Sequence, residues 1–198
     1  MSAVRLTTVH VDQETLMSSS SLALHPSLTV TSDRWPAAMA RAFHPSSSGT
    51  IGQAALATLA ARLADQAVPW DLGADAAPTE RRYARLLSTP AFEAWLICWP
   101  QGTNLELHDH GPAAGAFAVV AGTLNETFVG RTGRRTRRVG AGQVLSFGRG
   151  HVHDVANCER VPATSVHVYS PPLSTMTFYE VTGGGLTAVR TEQTGEPG

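Results

Sequence analysis

The chain has 198 residues, 42% of them hydrophobic and 16% charged, with sixteen acids against fifteen bases and a formal net charge of -1. A domain of that length can bury about 70% of its unfolded surface, so a core of useful size is available. The near-neutral balance removes the overall electrostatic case for a nucleic-acid or membrane-surface protein. No apolar run approaches the roughly 20 residues that span a bilayer, and no basic start followed by an apolar block marks a signal peptide. Two cysteines, Cys98 and Cys158, are too few for a disulfide scaffold and fit a reducing compartment. The expectation is a cytoplasmic, single-domain protein, a monomer or weak homo-oligomer.

Residues 1–48, rich in Ser, Thr and Pro, read as an irregular extension with one short helix over Pro36 to Phe43. Apolar residues at helical spacing (Ile51, Ala55, Leu59, Leu63, Val68) predict a helix, with Ser48 or Thr50 as cap and Pro69 as stop. A second helix is expected from Pro78 to Leu87, with Pro as a helix-start residue. After Pro90 short β-rich segments recur between Gly, Pro and Asn: Phe92–Trp99, Ala116–Val120, Thr123–Val129, Thr136–Val139, Gln143–Phe147, His151–Val155, Ala163–Ser170, Thr175–Val181 and Leu186–Arg190. Many short strands at regular spacing suggest a sandwich or barrel. The expected division is one domain over 49–190, its barrel spanning about 90–190, and a frayed tail over 191–198.

Five of the eight histidines, His108, His110, His151, His153 and His167, fall in this strand-rich half. His10, His25 and His44 read as ordinary structural or exposed side chains. Strand alternation would put His108 and His110 on one face, as two ligands of one metal require. The spacing is more specific than the pair. Gly102, His108, His110, Gly115 and Gly122 resemble the first cupin motif, except that Gly115 stands where the motif has Glu. Gly142, Gly148, Gly150, His153 and Asn157 resemble the second motif, with Gly148 in place of Pro. The likeness implies a mainly β, jelly-roll-like cupin barrel with an N-terminal helical segment. It selects His153 as third ligand and leaves His151 as the weaker candidate.

Three neutral imidazoles would leave a divalent ion its full double charge, suiting an anionic ligand such as a thiolate. Imidazole ligation suits Fe, Cu, Zn and Ni alike. Ser165, His167 and Tyr169 stand at alternate positions and would share one strand face, a polar relay ending in a phenol. Inside a barrel such a relay must satisfy its own hydrogen bonds.

Within the cupins, three stretches resemble the thiol dioxygenases, and cysteine dioxygenases in particular: His108 to Gly111 with Leu96 to Pro100 ahead of it, Gly150 to Asn157, and Ser165 to Leu173. This resemblance implies oxidation of L-cysteine by O2 to cysteine sulfinic acid on one Fe(II) per chain, held by His108, His110 and His153. Catalytic roles fall to Tyr169, His167 and Ser165, and the Ser170–Pro171 bond would be cis. Arg82-Tyr83-Ala84-Arg85 resembles the segment that binds substrate, giving Arg85 to the carboxylate and Tyr83 to the pocket. Relatives acting on 3-mercaptopropionate tend to carry Gln in place of that Arg. Animal members carry a Cys at the position of Gly115, linked by a thioether to the Tyr matching Tyr169. Gly115 cannot form that link, as in bacterial forms. The rival readings are a dioxygenase for another small thiol, such as 3-mercaptopropionate or cysteamine, and a non-catalytic metal-binding cupin. Five Arg between Arg131 and Arg138 read as a solvated hairpin rather than a nucleic-acid patch, since no aromatic residue is interleaved.

Overall fold

A computed structural model describes residues 49–66, 79–130, 133–183 and 185–194. Among the described residues one helix, α1 (Gln53–Gln66), precedes eleven strands. These are β1 (Arg82–Ser88), β2 (Glu93–Trp99), β3 (Asn104–His108), β4 (Ala114–Ala121), β5 (Thr123–Gly130) and β6 (Gly133–Gly140), then β7 (Val144–Phe147), β8 (His153–Ala156), β9 (Ala163–Ser170), β10 (Thr175–Thr182) and β11 (Gly185–Gln193). They pair antiparallel in two sheets, ordered β1-β2-β9-β4-β7 and β11-β10-β3-β8-β5-β6. This is the cupin barrel that the motifs imply. Among the described residues no helix is long and apolar enough to cross a membrane.

The first sheet is covered on both faces, which explains why all eight residues of β9 are buried. Its inner face contributes Phe117, Val119, Phe147 and Tyr169 to the core between the sheets, with Trp99, Leu124 and Val155. Its outer face carries Ala94, Ala116, Ala118, Val166 and Val168 against Leu56, Leu59, Ala60 and Leu63 of α1. The polar run Ser165-His167-Tyr169 therefore faces inward while Val166 and Val168 lie under the helix. Ser170 ties the helix to the barrel: its Oγ accepts from Ile51 N at 2.8 Å and donates to the Ala91 carbonyl at 2.7 Å. The Ser170–Pro171 peptide is cis.

Several expectations are corrected. The segment expected as a helix from Pro78 to Leu87 is, where described, strand β1, paired with β2 from Arg82↔Cys98 to Ser88↔Glu93. Its Ala, Leu and Arg are good helix formers, yet alternation lets Leu86 join the core beneath α1 while Tyr83 faces the other way, and pairing outweighs propensity. The first helix begins later than expected: the Gly52 carbonyl accepts from Leu56 N at 3.0 Å, so Gly52 rather than Thr50 stands at the cap. Strand β3 was absent from the expected strands, and β8 starts at His153, leaving His151 in the preceding turn. The tail is not frayed from residue 191: Thr191, Glu192 and Gln193 pair with Thr177, Met176 and Thr175. The extension over 1–48, with its short helix and His10, His25 and His44, lies outside the described residues, as do residues 67–78.

From Gly133 on, the Arg-rich segment forms β6, where three of its arginines are paired with carboxylates. Arg134 meets Asp154 at 3.1 Å, Arg138 meets Glu159 at 2.6 Å, and Arg137 meets the buried Glu126 at 2.5 Å.

Candidate metal centre

His108 closes β3, and His153, its partner in the register, opens β8. His110 lies beyond the end of β3, in the connection to β4, so strand alternation alone does not place it. Asp109 sets that connection. Its backbone N–H reaches Thr177 O at 2.9 Å, its Oδ1 accepts from Gly111 N at 3.0 Å, and its Oδ2 accepts from the Tyr179 hydroxyl at 2.7 Å. Gly111, at φ +53°, turns the chain where a Cβ would collide with Thr175.

The three imidazoles are almost wholly buried, and one ring nitrogen of each lies within 4.8 Å of the others. His108 Nδ1 lies 2.7 Å from the Glu106 carbonyl, which can only accept, so Nδ1 carries the proton and Nε2 presents a lone pair. His153 Nδ1 likewise donates to Glu126 Oε1 at 2.8 Å, leaving His153 Nε2 buried with no hydrogen-bond partner. The Nε2 atoms of His108 and His110 are 3.1 Å apart. Metal bonds of about 2.1 Å meeting at a right angle separate two nitrogens by about 3.0 Å. Burial, the largest cause, pushes the pKa of all three rings below the ordinary range, and the neighbouring imidazoles push the same way for His108 and His110. An orphaned buried nitrogen, fixed tautomers and neutral rings fit a divalent metal ion.

Glu126 and His151 form a layer behind this cluster. Glu126 is fully buried, its Oε1 shared by His153 and by His151 Nε2 at 3.0 Å, while Oε2 pairs with Arg137. Burial opposes the charge on Glu126, but donors from His151, His153 and Arg137 together hold its pKa well below the usual carboxylate range. A second triplet, Glu126, His151 and His153, also converges, but Arg137 already sets a cation against that carboxylate. Glu126 lies outside both histidine motifs. Its signal was a charged residue in phase with Leu124 on the inward face of β5.

The relay is continuous. Trp99 Nε1 donates to Ser165 Oγ at 2.8 Å, Ser165 Oγ meets His167 Nε2 at 2.9 Å, and His167 Nδ1 meets the Tyr169 hydroxyl at 3.2 Å. Burial, with His153 and Arg81 adding to it, brings the pKa of His167 down to about 3, so the ring is neutral near pH 7. Burial pushes the Tyr169 phenol up, Glu93 adds to the rise and Arg81 opposes it, so the hydroxyl keeps its proton. The Tyr169 ring lies 4.8 Å from that of His110, which stacks on Phe147 at 5.1 Å. Gly115 pairs with Phe147 on one side and Tyr169 on the other. A Cβ there would stand 2.5 Å from Phe147 Cε2, so the Phe147 ring fills the space of the side chain the cupin motif would have.

Tyr169 also borders a cavity of about 120 Å³, shared with Arg81, Tyr83, Glu93, Trp95 and Leu173. That is well above the roughly 10–15 Å³ that admits a single water, which suits a small ligand. Tyr83, expected at the pocket, lines it. Arg85 shares the inward face of β1 but lies with its guanidinium 5.6 Å from the centre of the Trp95 ring, outside the cavity lining. Arg81, four residues before Arg85, lies in the lining, its guanidinium 5.2 Å from the Trp99 ring.

Barrel and site together define a cupin with a three-histidine centre. The profile of the family cysteine dioxygenase type I matches residues 50–182, more than half of the chain, and the chain belongs to that family of thiol dioxygenases. The cysteine dioxygenase type 1 proteins of Rattus norvegicus and Mus musculus are each 29% identical over 109 residues, covering 48% of this chain and 54% of theirs. The chain thus spans about half the length of these curated relatives. Among solved structures, a Cupin 2 conserved barrel domain protein from Salinispora arenicola is similar at a TM-score of 0.39 and 21% identity, over 45% of this chain and 74% of that one.

Proposed function

We propose that this protein is an iron(II) thiol dioxygenase that oxidises L-cysteine with O2 to cysteine sulfinic acid. The observation that carries this reading is the meeting of three buried, neutral imidazoles with the phenol of Tyr169, which also borders a small cavity lined by Arg81. His108, His110 and His153 hold the metal, and their lack of charge favours an anionic thiolate beside it. When bound, iron(II) supplies the redox chemistry that joins dioxygen to a thiol sulfur.

The rest belongs to the chain's own residues. Tyr169 keeps its proton and presents a donor beside His110. His167 and Ser165, fixed by Trp99, orient that donor, and such fixed placement of reacting groups lowers the barrier without further reorganisation. Likeness to the family supports Arg85 as the partner of the substrate carboxylate, while Arg81 lines the cavity with Tyr83 and competes for that role. Both atoms of one O2 end on sulfur, so no further reductant is needed. Cys98 is buried, Cys158 is exposed and both are unpaired, which suits the cytoplasm.

Oxygen uptake by iron-loaded protein, with L-cysteine, 3-mercaptopropionate and cysteamine in parallel, tests the reading. Fastest uptake with cysteine is expected. Preference for another thiol would keep the imidazole centre and overturn the substrate. No uptake at full iron occupancy would leave a non-catalytic cupin.

A further inference from the structure

With Gly115 where the cupin motif has Glu, the three imidazoles give the candidate centre no negative charge. Among the described residues, the carboxylate bonded directly to one of these imidazoles is that of Glu126, fully buried, 2.8 Å from His153 Nδ1. It comes from the middle of β5, where it pairs with Val155 of β8 on one side and Arg137 of β6 on the other. Its second oxygen carries the Arg137 guanidinium and its first also accepts from His151, so its position is fixed from three directions. A carboxylate accepting the Nδ1 proton of a ligating imidazole fixes the tautomer and makes the other nitrogen a stronger donor.

We propose that Glu126 is a positioning residue that supplies the missing carboxylate charge from behind His153, and that Arg137 moderates how much of that charge the metal feels. This rests on the reading of His108, His110 and His153 as the metal site, but not on the reaction. Glu126 touches no substrate. It aims His153 Nε2 into the centre and raises its basicity, while Arg137 draws part of the same charge toward solvent.

The test is a titration of metal-free protein with cobalt(II), read by visible absorption, in wild type and in the variants Glu126→Gln, Glu126→Asp and Arg137→Met. Glu126→Gln is expected to lose affinity by about 10- to 100-fold and to change the cobalt spectrum, with partial recovery in Glu126→Asp. Arg137→Met is expected to bind cobalt more tightly than wild type. The two changes break the same ion pair, so a purely structural role would move both in one direction. Equal affinity in wild type and Glu126→Gln, or parallel losses in Glu126→Gln and Arg137→Met, would overturn the proposal. If Glu126→Gln does not fold, Arg137→Met alone decides through the sign of its change. Cobalt binding that survives His108→Ala but not His151→Ala would make Glu126 a direct ligand and overturn its positioning role. Wild-type cobalt binding without thiol oxidation would leave this inference standing and remove the proposed reaction.

Discussion

Tyr169 belongs to two systems at once, closing the relay that starts at Trp99 while its ring lies against His110. Removing only its hydroxyl separates those roles. Tyr169→Phe should retain iron, because ring packing on His110 persists, yet lower turnover by at least about tenfold through loss of an oriented donor. Wild-type turnover in that variant would sink the relay. The two arginines make a second comparison. Arg81 lines the cavity, whereas Arg85 lies over Trp95. A desolvated charge-assisted contact contributes about 1.5–3 kcal/mol, a factor of roughly 10 to 100. Whichever of Arg81→Gln and Arg85→Gln raises KM for cysteine by that factor, while sparing cysteamine, identifies the carboxylate partner. The cavity lining favours Arg81, and an effect confined to Arg85→Gln would contradict that. The histidines were legible because spacing along one chain carries them. Glu126, Phe147 and Trp99 were not, because cross-strand registers rather than local sequence bring them to the site.

At the scale of elements, β9 was the most legible and β1 the least. In β9 the polar positions 165, 167 and 169 alternate with the apolar Val166 and Val168, and both phases are buried: one faces the relay and the other α1. In β1 the residues are helix formers, and only the neighbouring strand and the helix above reveal the alternation. Strand β3 was hidden by its shortness and by the register shift between Leu105 and His108. The helix is the lid of the outer core, with Leu56, Leu59 and Leu63 each at most 1% exposed. Leu59→Ala should therefore destabilise the fold by about 2–5 kcal/mol, since a buried cavity replaces the side chain. Urea denaturation measures the loss. A change below about 0.5 kcal/mol, the range of surface substitutions, would mean that α1 is not docked as described.

At the scale of the whole molecule, the two sheets divide the work. The first, braced by α1, carries the relay and the cavity wall, and the second carries His108 and His153 with the Glu126 layer behind them. His110, on the connection from β3 to β4, joins the two. The barrel and this convergence followed from the two histidine motifs, while the charge layer on β5 and β6 emerged only once the strands were paired. The most direct test of the account is the fate of oxygen. Iron-loaded protein, turning over L-cysteine under isotopically heavy dioxygen, should give cysteine sulfinic acid with both oxygen atoms labelled. Cystine as the only product, or sulfinate whose oxygen comes from water, would contradict it.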